Sequence, residues 1–199
     1  MKQSGPSAQS LASQRWSTTF PTRLRCAVTD VNALSRAIKK VGHPRVVVHN
    51  AGGGAFGAFD KIDATTLNRN FQINAMALFH LARLTAPAMV EVGEGAIIVT
   101  GNTSAQRGRA AFAGFAPTKA TQRILAESLA RDLGPKGVHF AYPVIDAAID
   151  VPWQRQLQPD KPDDFFISPR SIAAEVFHLA HQPTGPFWPK CGHSTRSGR

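Results

Sequence analysis

Acidic residues, cysteines and long apolar runs are all scarce in this chain, and each scarcity narrows what it can be. Thirteen Asp and Glu face 23 Lys and Arg, a formal charge of +10 over 199 residues. The two cysteines, Cys26 and Cys191, stand alone and without metal-ligand spacing. Neither a disulfide framework nor a metal site follows from them, and the usage suits a reduced, cytoplasmic protein. No apolar run approaches the ~20 residues of a membrane span. Met1-Lys2-Gln3-Ser4-Gly5-Pro6 leads into no apolar stretch of a secretory signal. A membrane partner is therefore not expected. What is present, 43% hydrophobic residues, is ordinary for one globular domain with a real core.

The positive charge belongs to the ends. Residues 1–45 hold eight Lys and Arg against Asp30 alone, and residues 181–199 hold Lys190, Arg196 and Arg199 with no acid. The middle, 46–180, is neutral with twelve of each sign. Basic ends can mark nucleic-acid binding. These lack interleaved aromatics or a groove-reading helix, so nucleic acid is not the expected partner. Residues 1–23 form an irregular, hydroxyl-rich segment punctuated by Pro6 and Pro21, and 183–199 form an irregular basic tail. The folded domain is expected over 24–182.

Within that domain the chain alternates strands and helices. Arg45-Val46-Val47-Val48-His49 is a β-branched run that predicts a strand buried on both faces, and it enters the loop Asn50-Ala51-Gly52-Gly53-Gly54. Before it, Leu24–Val28 predicts a short strand, and Asp30 suits the N-cap of a helix over 31–41 closed by Gly42. After it, Asp63 opens a long helix to about 92, and Ala96–Thr100 predicts a buried strand. A polar loop from Gly101 to Gly108, a second long helix over 111–133 stopped by Gly134-Pro135, and a strand at Val138–Tyr142 follow. A Pro/Asp-rich linker at 158–164 and a helix over roughly 169–181 complete the domain. Strand–helix–strand order predicts a parallel, three-layer α/β domain.

Asn50-Ala51-Gly52, then Asn74 in Phe71-Gln72-Ile73-Asn74, Gly95-Ala96-Ile97-Ile98-Val99, Lys119 after Phe115-Ala116-Pro117-Thr118, and Leu129–His139 stand in the order of the short-chain dehydrogenase/reductase family. Residues 24–182 resemble that family. The resemblance implies a Rossmann sheet, NAD or NADP as cofactor, and hydride transfer to or from a small carbonyl or alcohol substrate. In the family a Tyr donates the proton, a Lys four residues later lowers that Tyr's pKa and holds the nicotinamide ribose, a Ser binds the substrate oxygen, and a helix Asn positions a water. Carried over, Asn74 and Lys119 match the Asn and the Lys, and Asn50, Ala51 and Gly52 match the loop beside the adenine side of the site. The family's two long helices pack against a partner subunit. Here Ala75, Ala77, Ala120 and Ala126 permit such a homo-oligomer, and an internal core contact explains them equally well.

Three departures bear on function. The family Tyr position is Phe115, which keeps the ring and cannot exchange a proton. Tyr142, the only tyrosine, lies on the following strand. The family Ser position falls on Asn102, with Ser104 as a second candidate and an ordinary polar loop as the alternative. The first strand, its Gly-x-x-x-Gly-x-Gly loop and the first helix have no counterpart, so the Rossmann sheet is expected to be incomplete at its N-terminal half. Two classes of function follow. One is an NAD(P)-dependent oxidoreductase with reduced chemistry, drawing on Asn74, Asn102, Ser104, Phe115 and Lys119. The other is a non-catalytic relative, a pseudoenzyme or truncated fragment that serves as an oligomerising scaffold.

Overall fold

Asp30 sets the first helix. The computed structural model describes residues 24–182 and the backbone of His193–Thr195. In it, helix α1 spans Val31–Val41, as the cap and spacing predict. The Asp30 carboxylate accepts the Ala33 N–H at 2.9 Å, satisfying one donor that a helix N-terminus leaves open. Leu34 and Ile38 face the core, and Gly42 turns the chain out at φ 91°.

Strand β1, Val46–His49, follows. Helix α2 runs Ala64–Val92 and is capped by Asp63, whose carboxylate accepts from Thr66 N and Thr66 Oγ1, each at 2.7 Å. Inside it, Gln72–Met76 winds as a π turn, and Gly93 ends it in the left-handed conformation at φ 69°. By length and composition α2 is apolar enough to cross a membrane, although charged and polar residues interrupt its apolar runs. Half of its most apolar window is buried inside the fold, as in a core helix.

Strand β2, Gly95–Val99, is buried throughout and continues past Thr100 into β3, Gly101–Asn102. Helix α3 spans Ala116–Leu133 and starts five residues later than the expected 111. Ala111 adopts φ 64°, and Gly114 packs so closely on Ala55 that a Cβ would sit 2.8 Å from its carbonyl oxygen. Residues 109–115 are thereby held as turns rather than helix. Strand β4, Val138–Ala141, continues into β5, Pro143–Ile145.

The sheet is parallel, in the order β1-β2-β4, and is prolonged by β3 and β5. Helices α1, α2 and α3 cover one face around Val47, Leu78, Ile97, Val99 and Phe140. On the other face Leu179 of helix α5, Pro169–Ala180, packs on Ala96, Ile98 and Ala141. This is the expected three-layer α/β arrangement.

Several expectations need correction. Strand β1 is not buried on both faces: Val46 and Val48, in register with Ala96 and Ile98, are 38% and 44% exposed. Among the described residues, α5 on that face packs on β2 and β4 and does not reach β1. Leu24–Val28 is not a strand, because the described sheet ends at β1 and offers it no neighbour. The Ala27 carbonyl instead accepts the Asp30 N–H at 3.0 Å in a turn. The linker expected at 158–164 is irregular up to a 3-10 turn at Asp163–Phe165, but the stretch around it is more ordered than a loop. It forms strand β6 (Ala148–Ile149), helix α4 (Pro152–Leu157) and strand β7 (Phe166–Ile167), and β6 pairs with β7 in parallel. Arg155 holds this excursion together by donating to Asp150 at 2.5 Å and to Asp163 at 2.6 Å. From the tail expected to lack a period, strand β8, His193–Thr195, pairs parallel with β5. The irregular character expected of 1–23, 183–192 and 196–199 lies outside the described residues.

Candidate functional site

The π turn in α2 places Asn74 at the centre of the site. Asn74 is wholly buried, and its amide is fully engaged: Oδ1 accepts the Gly53 N–H at 2.9 Å, and Nδ2 donates to the Gly53 carbonyl and to Thr118 Oγ1, each at 2.7 Å. Thr118 Oγ1 in turn donates to the Phe115 carbonyl at 2.7 Å. One side chain thus ties the glycine loop after β1 to the first turn of α3. A second amide repeats the device, as Asn70 donates to the Gly114 carbonyl at 2.8 Å.

The glycine loop is packed as well as bonded. A Cβ on Gly53 would lie 2.8 Å from Asn70 Oδ1, and one on Gly54 would lie 3.0 Å from the Phe115 ring. Asn50 sits at the exposed mouth and accepts from Thr100 Oγ1 at 2.9 Å. Ala51 and Gly52 continue the loop, with Gly52 open enough that a Cβ would meet only Asn74 Oδ1, at 3.9 Å.

Lys119 is buried, and its ammonium donates to the Thr100 carbonyl at 2.9 Å and to Gln122 Oε1. Burial disfavours the charged amine and lowers its pKa to about 8. His49, the last residue of β1, is also buried, with Nε2 lacking a hydrogen-bond partner among the described residues. Its pKa is lowered to about 4, first by burial and second by the Lys119 charge. A neutral imidazole beside a buried amine is the electrostatic signature of the site.

Phe115 stands directly before the first residue of α3. Its ring lies 5.1 Å from Phe56, and Phe56 lies 5.1 Å from Phe112 in an edge-on contact. Three aromatic rings, with no hydroxyl among them, therefore line this wall. Asn102 is committed to the protein at both ends of its amide: Oδ1 accepts the Ser104 N–H at 2.9 Å, and Nδ2 donates to the Ile145 carbonyl at 3.1 Å. Ser104 is buried in the short turn that follows.

Asn74, Phe115 and Lys119 are brought together with the Gly53 loop, while Asn102 serves to shape the turn before α3. His49, Thr118 and Gln122 complete the site without having been foreseen. A signal existed for two of them. His49 alternates with Val47 on the inward face of β1, and Gln122 follows Lys119 by three residues on one helix face. Among the described residues, no group of three or more His, Cys, Asp and Glu is placed to hold a metal ion.

A parallel sheet with a glycine loop at a strand's carboxyl end, faced by a buried lysine, is the arrangement at which open α/β sheets bind their ligands. The family model for short chain dehydrogenases matches residues 9–160, and the chain belongs to that family. It is 33% identical over 118 residues to 7alpha-hydroxysteroid dehydrogenase of Escherichia coli K12, covering 57% of this chain and 46% of that protein. It is 34% identical over 110 residues to the cyclic-di-GMP-binding biofilm dispersal mediator protein of the same organism, covering 55% and 46%. The chain thus spans about half the length of the curated relatives it matches. Among solved structures, a gluconate 5-dehydrogenase from Burkholderia cenocepacia in complex with NADP and tartrate superposes with a TM-score of 0.67 at 19% identity, covering 77% of this chain and 65% of that one. A metagenomic short-chain oxidoreductase in complex with NADP gives 0.65 at 24% identity, covering 80% and 66%. These structures share the fold.

Proposed function

We propose that this chain is an NAD(P)-dependent oxidoreductase of reduced catalytic power, acting on a small carbonyl or alcohol substrate. The carrying observation is the buried Lys119 ammonium. It bonds the carbonyl of Thr100, whose hydroxyl donates to Asn50 at the start of the glycine loop, and its two bonds to Thr100 and Gln122 leave one N–H for a ligand hydroxyl. When bound, the cofactor supplies or accepts the hydride. These residues fit its nicotinamide-ribose end, where a buried cation and the carboxyl end of β1 meet. They do not fit the pyrophosphate end. Among the described residues, Gly52–Gly54 leads through a short 3-10 turn at Phe59–Lys61, and no helix N-terminus follows it directly to receive the phosphates.

The chain's own residues act by position. Asn74 fixes the glycine loop against α3, so that Lys119 and the loop keep their spacing. The Phe56, Phe112 and Phe115 rings form an apolar wall that excludes water from one side of the substrate. Phe115 has no proton to give, so protonation of a developing alkoxide falls to solvent or to Lys119. Copies of the chain pack through α2 and α3, consistent with the exposed apolar side chains Met76, Val92 and Ile124 on these helices.

The test is Phe115→Tyr. A well-placed general acid contributes roughly 100- to 10,000-fold. The variant should therefore gain at least about 100-fold in NADPH or NADH oxidation across a panel of small aldehydes and ketones. An unchanged rate in a folded, cofactor-binding variant would refute an assembled catalytic site. A second reading, a non-catalytic scaffold, is favoured by the same hydroxyl-free wall and by the uncovered Val46 and Val48. No turnover from Phe115→Tyr, together with a stable oligomer, would establish that reading instead.

A further inference from the structure

Gln122 is buried completely, yet among the described residues half of its amide is unused. Its Oε1 receives the Lys119 ammonium and lies 3.4 Å from the Tyr142 hydroxyl, which also lies 3.4 Å from the Lys119 carbonyl. Its Nε2 is buried with no hydrogen-bond partner among the described residues. The two ends of a glutamine amide are often interchangeable, but here they are not. An ammonium can only donate, so the atom facing Lys119 must be the oxygen, and the orphaned atom must be the nitrogen. A buried donor without an acceptor is costly, whereas leucine or methionine would fill this place on α3 without that cost. The cost is retained on the side that does nothing, and the contact is made on the side that meets Lys119.

We infer that Gln122 is a positioning residue that holds the Lys119 ammonium inward against the Thr100 carbonyl and keeps it protonated. The inference deepens the oxidoreductase reading and rests on it for the ligand that Lys119 serves, but the Gln122–Lys119 coupling stands on the geometry alone. Without the Oε1 acceptor, burial would drive the amine further toward its neutral form, and its direction would be set by Thr100 only. The other titratable groups facing Lys119 are His49 from β1 and Tyr142 from the link between β4 and β5, whose hydroxyl lies against the Lys119 carbonyl. His49 is already held neutral by burial, and the acceptors that face the Lys119 ammonium are Gln122 Oε1 and the Thr100 carbonyl.

The experiment is an NMR titration of the full chain with lysine labelled at the side-chain carbon next to nitrogen, the Lys119 signal being assigned by its loss in Lys119→Met. A hydrogen bond to a charged group corresponds to roughly one to two pKa units. Gln122→Met should lower the Lys119 pKa by about that amount, and Gln122→Glu, which offers a carboxylate, should raise it. Opposite shifts from the two variants are the expected result. Packing alone would not move the titration in opposite directions, so a pKa within about 0.3 of the wild-type value in both variants would overturn the inference. If Gln122→Met does not fold, Gln122→Leu takes its place, because a carboxylate raises the Lys119 pKa by charge alone and only the loss of the Oε1 acceptor tests the amide. Parallel calorimetry with NADPH separates the two readings. Absent NADPH binding by the wild type would defeat the oxidoreductase reading and leave the titration to judge Gln122. Intact binding with an unmoved titration would defeat the Gln122 inference alone.

Discussion

Replacing Asn74 should cost more stability than any loop substitution in the site. Asn74→Ala deletes three hydrogen bonds of 2.7–2.9 Å at a position with no exposure. Gly53 is only half-buried, so water can recover part of the loss at its N–H and carbonyl. Thr118 Oγ1 has no such access, although it keeps its own bond to the Phe115 carbonyl. Taking about 1 kcal/mol net for each bond gives roughly 3 kcal/mol, and a cavity at the amide adds to it. For a chain of this size that corresponds to a fall in Tm of roughly 6–12 °C. Asn74→Asp should be no better at pH 7. It retains the acceptor for Gly53 N–H but loses both donors and sets a carboxylate against the Gly53 carbonyl oxygen. The assay is thermal unfolding by circular dichroism, with amide hydrogen exchange at residues 53–56 reporting whether the loop is released. If Asn74→Ala stays within about 0.5 kcal/mol of wild type, Asn74 does not anchor the loop and the site as described is wrong.

Further predictions follow from the same interior. The His49 pKa lies near 4 in the folded chain against 6.5 when exposed, so the unfolded chain binds a proton first as the pH falls. Stability should therefore be fully present above pH 6.5 and be lost between about 6.5 and 4 by about 3 kcal/mol, and His49→Phe should flatten that slope in urea unfolding. Gly101 faces the ring of Tyr142 so closely that a Cβ would lie 2.1 Å from it. Gly101→Ala should destabilise by roughly 1–3 kcal/mol, and the deficit should shrink when Tyr142→Leu is added, giving a coupling of about 1 kcal/mol or more in the double-mutant cycle. The Arg45–Glu94 pair is largely exposed, so Arg45→Ala should change the urea midpoint by no more than about 0.5 kcal/mol in stability terms.

How much of this was legible depends on the range over which each feature is determined. The Asp30 and Asp63 caps and the glycine stop at 42 could be read directly, because capping is a matter of a few neighbouring residues, while the sequence left Gly93 and Gly95 as alternative ends of α2 and Gly93 is the one used. The buried strand at 95–99 was legible because its β-branched run is covered on both faces. The same run at 46–48 misled, since burial of its outer face depends on elements far away in sequence. The late start of α3 was hidden because periodicity does not register a positive φ at Ala111. In the site, Asn74, Lys119 and Phe115 were placed by their resemblance to a family pattern. His49, Thr118 and Gln122 needed the packing of β1 against α2 and α3 to acquire their roles. The glutamine was the most concealed, because its function lies in which end of a symmetric-looking amide meets an ammonium.

The most direct test of the account is isothermal titration of NADPH and NADH into the full chain at pH 7, repeated with Lys119→Met. Binding by the wild type that weakens at least tenfold in Lys119→Met, a loss of about 1.4 kcal/mol, is the predicted result. Absence of heat from a folded wild-type protein, or equal binding by both chains, would contradict a cofactor site built around Lys119.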